Sequence, residues 1–315
     1  MSLNISFETP KWLVTCYHSS TIISVFINTL GIYLIKSQSG AIDSFRYYLL
    51  WFTICSLSSD ICLFFLVQPI PLLPIWAGYI NGPLWSVFGI STHMTSLVGS
   101  IAIGEQAAAL TMCFVRKYQA LSRIRNEVSK SSIIFVWIFT QIVIAVWVTF
   151  YYFTGMDRST SLNIIAKNYP TLYPKFLELE DFQLYVRNEI TTCFLISAGF
   201  MASIFIAIII YSTVRMINIL KNLEKHVSAV NFKKHKAAVG SLIAQFLTTP
   251  IAFVPPVASG VLLCFDFQHI QVTNWAMLAL ASCHGTVNCL VMILTCPPYR
   301  GYLKRHVLAA FRQNS

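Results

Sequence analysis

Long apolar stretches separated by short polar segments dominate this sequence. Seven of them are long enough to cross a ~30 Å hydrocarbon core as helices. We therefore predict seven membrane-spanning helices, at about residues 12–35, 47–67, 85–115, 132–152, 189–214, 237–265 and 273–295. Apolar residues at helical spacing beyond position 214 predict that the fifth helix continues past the lipid. The chain is interpreted as one all-α membrane domain over residues 1–315.

The third stretch, from Trp85 to Lys117, is the one around which we expect the other helices to pack. It is rich in Gly, Ala and Ser, contains a single carboxylate, Glu105, and ends abruptly at Arg116 and Lys117. Small residues allow helices to approach closely in lipid, where no hydrophobic force drives their association. This composition predicts a central helix with a basic inner end.

Prolines interrupt the pattern at two places. Four of them follow the second span, at Pro69, Pro71, Pro74 and Pro83, and three lie within the sixth, at Pro250, Pro255 and Pro256. Proline lacks a backbone N–H and bends or ends a helix. We therefore expect an irregular segment after the second span and a hinge in the sixth.

The distribution of charge orients the bundle. If the amino terminus is outside, 17 of the 22 Lys and Arg fall in the inner loops and tail. Basic loops stay cytoplasmic, so the carboxyl terminus is predicted to be inside. The sequon at Asn4 then faces the compartment where glycosylation occurs. The net charge of +10 is therefore placed against the anionic inner leaflet of the membrane and any acidic partner.

Composition excludes several function classes. The chain is 56% hydrophobic and 11% charged, whereas soluble domains carry about 25% charged residues. The start of the sequence is not expected to be a cleavable signal peptide. No phosphate-binding loop, HExxH or GxSxG motif occurs in the sequence, so neither an enzyme nor a cofactor is expected. No folded module for nucleic acid is recognisable. Most of the nine cysteines lie within predicted spans, although a bridge among Cys16, Cys193 and Cys264 is conceivable.

Polar residues inside the predicted spans are the first candidates for function. Asn28, Asp60 and Asn288 could share one hydrogen-bonded cluster, which would act either as a polar hinge between two states or as static contacts between helices. Glu105 is interpreted as a packing residue. His93 and His284 could line a cavity, and we do not expect them to bind a metal.

The inner end of the third span is the second candidate region. Arg116 and Lys117 could dock an acidic partner, anchor the helix at the lipid headgroups, or do both. Apolar and basic residues alternate at helical spacing between Tyr299 and Phe311. This pattern predicts a helix lying in the inner membrane interface.

A membrane transporter is the main alternative to a receptor. Asp60 and Glu105 are the groups that a proton relay could use. Against this class, seven spans do not divide into two equal repeats, and matching broken helices are absent from the pattern.

Several stretches together resemble one family. They are FETPKWLVTCYH, IDSFRYYLL, QPIPLLPIWAGY, CFVRKYQAL and PPYRGYLKR, which occur in this order through most of the chain. They resemble the nematode serpentine chemoreceptors, most closely the Sri class of the Str superfamily, with the sister class Srh as the alternative. The resemblance implies a G-protein-coupled receptor in the membrane of chemosensory neurons and their cilia, which detects a small environmental molecule and activates a heterotrimeric G protein.

The resemblance also implies roles for particular residues. Arg116 resembles the arginine at the inner end of the third receptor helix, although Val115 replaces the acidic residue that usually precedes it. Tyr299 and Arg300, after Pro297 and Pro298, are similar to the family's Asn-Pro-Tyr-Arg ending, with Pro297 in place of the Asn. The polar residues Asn28, Asp60 and Asn288 look like the cluster that many such receptors share. The usual disulfide between the third helix and the long outer loop cannot form, because neither segment contains a cysteine.

On this reading, a ligand would enter from outside between spans three, five, six and seven. Candidate contacts are His93, Met94 and Phe253. Binding to one packing of the helices would shift the population towards a state with an opened inner face.

Overall fold

A computed structural model describes residues 5–38, 45–124, 131–223, 228–251 and 269–313 of the chain. Twelve helices occur in these ranges: α1 (Lys11–Gln38), α2 (Phe45–Ile61), α3 (Pro83–Ser86), α4 (Thr92–Ile124), α5 (Ser131–Phe153), α6 (Arg158–Asn168), α7 (Tyr173–Glu178), α8 (Glu189–Leu223), α9 (Ala229–Thr248), α10 (Ile270–Ala281), α11 (His284–Thr295) and α12 (Pro297–Gln313). A π-helical turn, Cys62–Val67, continues α2. Three short strands are present: β1 (Pro69–Pro71), β2 (Ala77–Ile80) and β3 (Gln183–Leu184).

Within these ranges, six segments are long and apolar enough to cross a membrane. They are Lys11–Gln38, Phe45–Val67, Thr92–Arg123, Ile133–Phe153, Glu189–Leu223 and Ile270–Thr295, where α10 and α11 count as one span. The predicted sixth span begins within α9, and its outer part lies outside the described residues. The fifth helix reaches Leu223, so its predicted continuation as a helix beyond position 214 is confirmed.

The central position of α4 is confirmed by burial. The most apolar stretch of α4 is 56% buried. The corresponding stretches of α5 and α8 are only 22% and 17% buried, so these two helices face outwards. Small residues bring its neighbours close, because a Cβ at Gly99 would lie 2.8 Å from Leu63 and one at Gly104 would lie 3.2 Å from Ile144. The Ser59 hydroxyl on α2 donates to the Ala102 carbonyl of α4 at 2.8 Å. This helix therefore carries contacts to both halves of the bundle.

The predicted start of the central helix at Trp85 is wrong. Trp85 belongs to the short helix α3, and α4 begins at Thr92. Between them Gly89 has a φ of +65°, a left-handed conformation that glycine adopts without steric cost. The reversal at this residue ends one helix and allows the next to start in another direction.

The outer end of the bundle carries a small sheet that the all-α expectation does not include. β1 and β2 form an antiparallel hairpin in which Ile70 is opposite Tyr79, and β3 pairs with β2 through Gly78 and Gln183. A Cβ at Gly78 would lie 3.1 Å from the Ile70 carbonyl oxygen, so a larger residue would press on the hairpin.

This sheet belongs to an outer cap, which we define as residues 5–10, 69–80 and 157–186. Its core includes Ile5, Leu72, Ile165 and Phe176, together with Trp275 from α10. The Trp275 indole N–H donates to the Pro71 carbonyl at 3.2 Å. The connection between α5 and α8 is therefore folded around buried apolar residues.

Candidate functional site

Three of the predicted intramembrane polar residues lie together near the middle of the bundle. The Ser24 hydroxyl on α1 donates to the Asp60 carboxylate on α2. Asn28, one turn further along α1, donates its amide to the Ser24 carbonyl at 3.0 Å and to its hydroxyl oxygen at 2.9 Å. Asn288 on α11 lines the same small cavity as Asn28. We call Ser24, Asn28, Asp60 and Asn288 the central polar cluster.

A glycine brings α11 against this cluster. The Gly285 backbone N–H faces the Asp60 carboxylate and hydrogen-bonds to it. A Cβ at position 285 would lie 2.7 Å from Asp60 Cγ and 2.9 Å from Oδ1, closer than real Cβ atoms come. Only glycine therefore allows this approach between α2 and α11 with the carboxylate where it is.

Gln106 connects the central helix to the same region. Its amide nitrogen lies 3.1 Å from the Ser56 hydroxyl on α2 and 3.3 Å from His284 Nδ1 on α11. The His284 Nε2 atom is buried and has no hydrogen-bond partner among the described residues. The side chain of Gln106 thus joins α2, α4 and α11 one residue away from Glu105.

A cavity of about 10 Å³ lies between these helices, lined by Asn28, Ser56, Gln245 and Asn288 among others. That volume is about the smallest that holds one water molecule. The side-chain oxygens of Asn28 and Asn288 have no partner in the described parts of the chain. Buried acceptors without partners cost free energy, so a water molecule in this cavity or another hydrogen bond would stabilise them.

Glu105 faces another part of the molecule. Its carboxylate accepts a hydrogen bond from Gln141 on α5 at 3.4 Å. Asp60, in contrast, is bonded to α1 and α11. The two intramembrane carboxylates therefore contact different helices, which agrees with a packing role for Glu105.

His93 lies at the outer end of α4 in an aromatic group with Tyr151 and Tyr185. The His93 ring stacks on Tyr151 with ring centroids 5.0 Å apart and an interplanar angle of 15°. Its Nε2 lies 3.0 Å from the Tyr152 carbonyl oxygen. A carbonyl only accepts, so Nε2 carries the proton and Nδ1 of the neutral ring is an acceptor. Nδ1 has no partner among the described residues.

The two tyrosines connect this group to the outer cap. Their hydroxyls lie 2.5 Å apart, which joins α5 to the residue after β3. Burial, and then the neighbouring Tyr151, raise the pKa of Tyr185 well above its usual value. The Tyr185 hydroxyl therefore remains protonated at physiological pH. We call His93, Tyr151 and Tyr185 the outer aromatic site.

The cap also fixes the start of the central helix. Asp181, in the connection before β3, accepts a hydrogen bond from the Thr92 backbone N–H at 2.5 Å. A carboxylate is favourable at a helix N-terminus, where backbone N–H groups lack partners. This hydrogen bond therefore joins the outer cap directly to the end of α4 that carries His93.

Met94 lies on a different face of the helix from His93. Met94, Val98 and Ile101 are 41%, 44% and 39% exposed and follow each other at helical spacing. Such a stripe faces lipid, and the structure does not bring Met94 to the outer aromatic site. Phe253, the third predicted ligand contact, lies outside the described residues.

At the inner end of α4 the two basic residues differ. Arg116 is half-buried, with its guanidinium carbon 5.8 Å from the Tyr48 ring centroid on α2. Lys117 is only 2% exposed, and its ammonium lies 4.9 Å from the Phe45 ring centroid. A cation over an aromatic face is favourable. Lys117 is therefore buried against α2 in this packing, and its roles in docking a partner or anchoring the helix stay predictions.

A further helix, α12, follows the end of the seventh span. Tyr299 is 3% exposed and packs in the inner core, whereas Arg300 is exposed. The hydroxyls of Tyr33 on α1 and Tyr302 on α12 lie 3.0 Å apart. The predicted helix after the seventh span is thus present as α12 and is held against α1.

The remaining predicted positions are only partly described. α9 ends at Thr248, and Thr249 forms a turn before the exposed Pro250. Pro255, Pro256 and Asn4 lie outside the described residues. Cys16 and Cys193 are exposed free thiols, and Cys264 lies outside the described residues. No group of three or more His, Cys, Asp or Glu that could hold a metal occurs within the described ranges.

Several participants were missed from the sequence. Ser24 lies one helical turn before Asn28, and Gln106 follows the noted Glu105, so both could have been found by searching each span for polar residues on the same face. Gly285, Tyr151 and Tyr185 gave no comparable signal, because their importance depends on contacts between distant segments.

Comparisons with known proteins agree with this architecture. Residues 3–303 match the profile of a family described as "Serpentine type 7TM GPCR chemoreceptor Sri". The crystal structure of squid rhodopsin is similar with a TM-score of 0.61, over 97% of this chain and 88% of the rhodopsin chain, at 11% sequence identity. Identity this low shows the fold alone, and it confirms the predicted seven-helix bundle. Among curated proteins, none matches the chain.

Proposed function

The chain belongs to the Sri family of serpentine seven-transmembrane chemoreceptors, and we propose that it binds a small environmental molecule at its outer end and signals to a heterotrimeric G protein at its inner end. The family and fold are those of a G-protein-coupled type of receptor in the membrane. The observation that carries the proposal is a series of buried polar contacts between the outer and inner ends of the bundle. Asp60 accepts a hydrogen bond from the Gly285 backbone, and Gln106 contacts His284 and Ser56, so α2, α4 and α11 are joined there.

The outer aromatic site is the proposed ligand contact. His93 Nδ1 offers an acceptor, and the bonded pair of Tyr151 and Tyr185 hydroxyls offers one remaining donor and acceptor lone pairs beside aromatic faces. Such a group suits a small molecule with one hydrogen-bonding group and an apolar or aromatic body. Phe253 remains a proposed contact from the sixth span.

The central polar cluster is the proposed switch. Asn28 and Asn288 face one cavity with acceptor oxygens that have no partner in the described residues, and Asp60 fixes α1 against α11. Alternative hydrogen bonding in such a cluster separates two packings of similar free energy, and a ligand selects between them. Pro250, at the end of α9, with Pro255 and Pro256, is the proposed hinge of the sixth span.

The inner ends of the helices are the proposed surface for the G protein. Arg116 is positioned over Tyr48. Movement of the sixth span would allow the Arg116 guanidinium to reach the partner instead. Buried Lys117 and Tyr299 would hold the inner ends of α4 and α12, and Arg300 would add a cationic contact. We place the receptor in the cell membrane, and by family in chemosensory cilia.

A cell-based assay tests this function. We would express the receptor with a calcium reporter, challenge it with odorants and small metabolites, and repeat the challenge with G proteins inhibited. A receptor gives responses that inhibition abolishes. Arg116→Ala should reach the surface and lose the response, whereas Arg46→Ala, an inner arginine that stacks on its neighbour Tyr47 at 4.7 Å, should keep it. An unchanged response in Arg116→Ala would refute the coupling role.

The transporter reading makes the opposite prediction. Uptake of the same molecule would continue with G proteins inhibited and would be lost in Asp60→Asn or Glu105→Gln. The separate contacts of the two carboxylates do not favour a shared relay. Uptake of this kind would replace the receptor proposal.

A further inference from the structure

An open groove lies between α4, α5 and α8. Its volume is about 420 Å³, within the ~300–1,000 Å³ of ligand pockets. Most of its walls are apolar side chains and aromatic rings, from Val115, Tyr118, Val136, Ala207, Ile208 and Tyr211. The other two lining residues, Gln119 and Ser212, are 1% and 2% exposed and present almost no polar surface. The groove therefore suits a hydrocarbon chain.

The groove opens towards lipid and not towards water. The helix surfaces beside it expose large apolar side chains, including Phe135 on α5 and Ile206 and Ile210 on α8. It lies in the inner half of the bilayer, because Tyr118 follows the basic pair that ends the third span and Val136 is near the inner start of α5. An occupant would enter sideways from the inner leaflet.

A cationic group lies at the inner end of the groove. The Tyr118 hydroxyl hydrogen-bonds with Arg215 and with Tyr211, and the two tyrosine rings meet edge to face at 6.1 Å. Arg215 is one helical turn after Tyr211 on the same face of α8. Arg215 is exposed, and a guanidinium has five N–H donors, so it can bind Tyr118 and a lipid phosphate together.

The positive charge of the inner loops around Arg215 favours an anionic lipid over a neutral one. The inner loops and tail carry 17 Lys and Arg against three acidic residues, Asp43, Glu127 and Glu224. All the acidic side chains in the described ranges lie in the outer half or within the spans. Basic residues at the inner surface attract the anionic lipids of the cytoplasmic leaflet. A zwitterionic lipid would gain much less from this field.

We infer that the α4–α5–α8 groove binds one acyl chain of an anionic inner-leaflet phospholipid, whose headgroup phosphate pairs with Arg215. The apolar walls and the lipid-facing opening select the chain. Arg215, Tyr118 and the basic inner rim select the headgroup. This binding does not require a G protein or the sensory ligand, so it stands independently of the proposed function.

Photo-crosslinking of the full-length receptor tests the inference. The probe is phosphatidylserine with a photoactivatable group in its acyl chain, present in phosphatidylcholine vesicles that contain the receptor. Adducts should concentrate on the peptides that carry Val136 and Ala207. Unlabelled phosphatidylserine should compete with them, and added phosphatidylcholine should not. This comparison uses only the wild-type receptor.

Two variants and a control locate the site. Ala207→Trp fills the groove and should remove most adducts. Gly199→Trp lies two turns away on the same helix, where a Cβ has nothing within 4 Å, and should leave them unchanged. Arg215→Gln should weaken phosphatidylserine labelling about fivefold, the effect of one basic residue at an anionic surface.

Three outcomes would overturn the inference. They are adducts spread evenly over all lipid-facing helices, equal competition by phosphatidylcholine or by a sterol, and adducts that persist in Ala207→Trp. Crosslinking between two receptor copies through the groove would likewise assign it to a protein partner. Thermal unfolding of each variant shows whether lost labelling comes from misfolding.

Discussion

Gly285→Ala should destabilise the receptor strongly, although it adds only one methyl group. The new Cβ would overlap the Asp60 carboxylate, which would have to leave its hydrogen bonds with Ser24 and the backbone of α11. Overpacking a buried site costs ~1–3 kcal/mol, and losing a hydrogen bond to a charged group costs a further ~1.5–3 kcal/mol. The free energy of unfolding should therefore fall by about 2.5–6 kcal/mol.

Thermal unfolding of the purified receptor in lipid nanodiscs measures this change. A loss of that size corresponds to a melting temperature lower by about 5 °C or more. Gly199→Ala is the matched control, because a Cβ there has nothing within 4 Å, and it should be neutral or slightly stabilising. Equal melting temperatures for the wild type and Gly285→Ala would show that α11 does not depend on close approach to Asp60.

Other predictions concern single contacts. Gln106→Leu removes two hydrogen bonds and should lower the free energy of unfolding by ~1–3 kcal/mol; Gln141→Leu, with one bond at 3.4 Å, should cost less in the same melting assay. Trp275→Phe removes the hydrogen bond to the Pro71 carbonyl and should therefore speed amide exchange in β1 and β2. Unchanged exchange would show that this hydrogen bond does not stabilise the sheet. Hydrogen bonds from Ser159 and Thr160 lower the pKa of Asp157 to about 2. The hydrogen bond by which Asp157 caps the start of α6 should therefore persist above pH ~4 and be lost as the pH falls through about 2, which amide exchange in α6 measures. Asp157→Asn should remove this pH dependence.

The polar cluster in the middle of the bundle could be predicted from the sequence, because a polar side chain inside a membrane span is rare and needs a partner. Asn28, Asp60 and Asn288 stand out within apolar stretches, and a buried polar group needs a partner, so their proximity follows from burial cost alone. The central position of α4 could be predicted in a similar way, because its small residues allow neighbouring helices to pack closely against it.

The outer cap could not be anticipated in this way. Phe176 and Ile165 lie in a segment with many charged residues, and their burial depends on docking against β1, β2 and α10. The start of α4 depends on the conformation of Gly89, which the apolar pattern around it does not reveal. The burial of Lys117 against Phe45 is also a tertiary contact, since a basic residue at a span end is equally compatible with exposure.

The most direct test of the central claim is guanine-nucleotide exchange on a purified heterotrimeric G protein. The receptor would be reconstituted in nanodiscs together with a molecule that evokes the calcium response. We expect this molecule to accelerate exchange with the wild-type receptor and with Arg46→Ala, and to have no effect with Arg116→Ala. Binding of the molecule to the wild-type receptor without acceleration of exchange, for each class of G protein, would contradict the proposed signalling function.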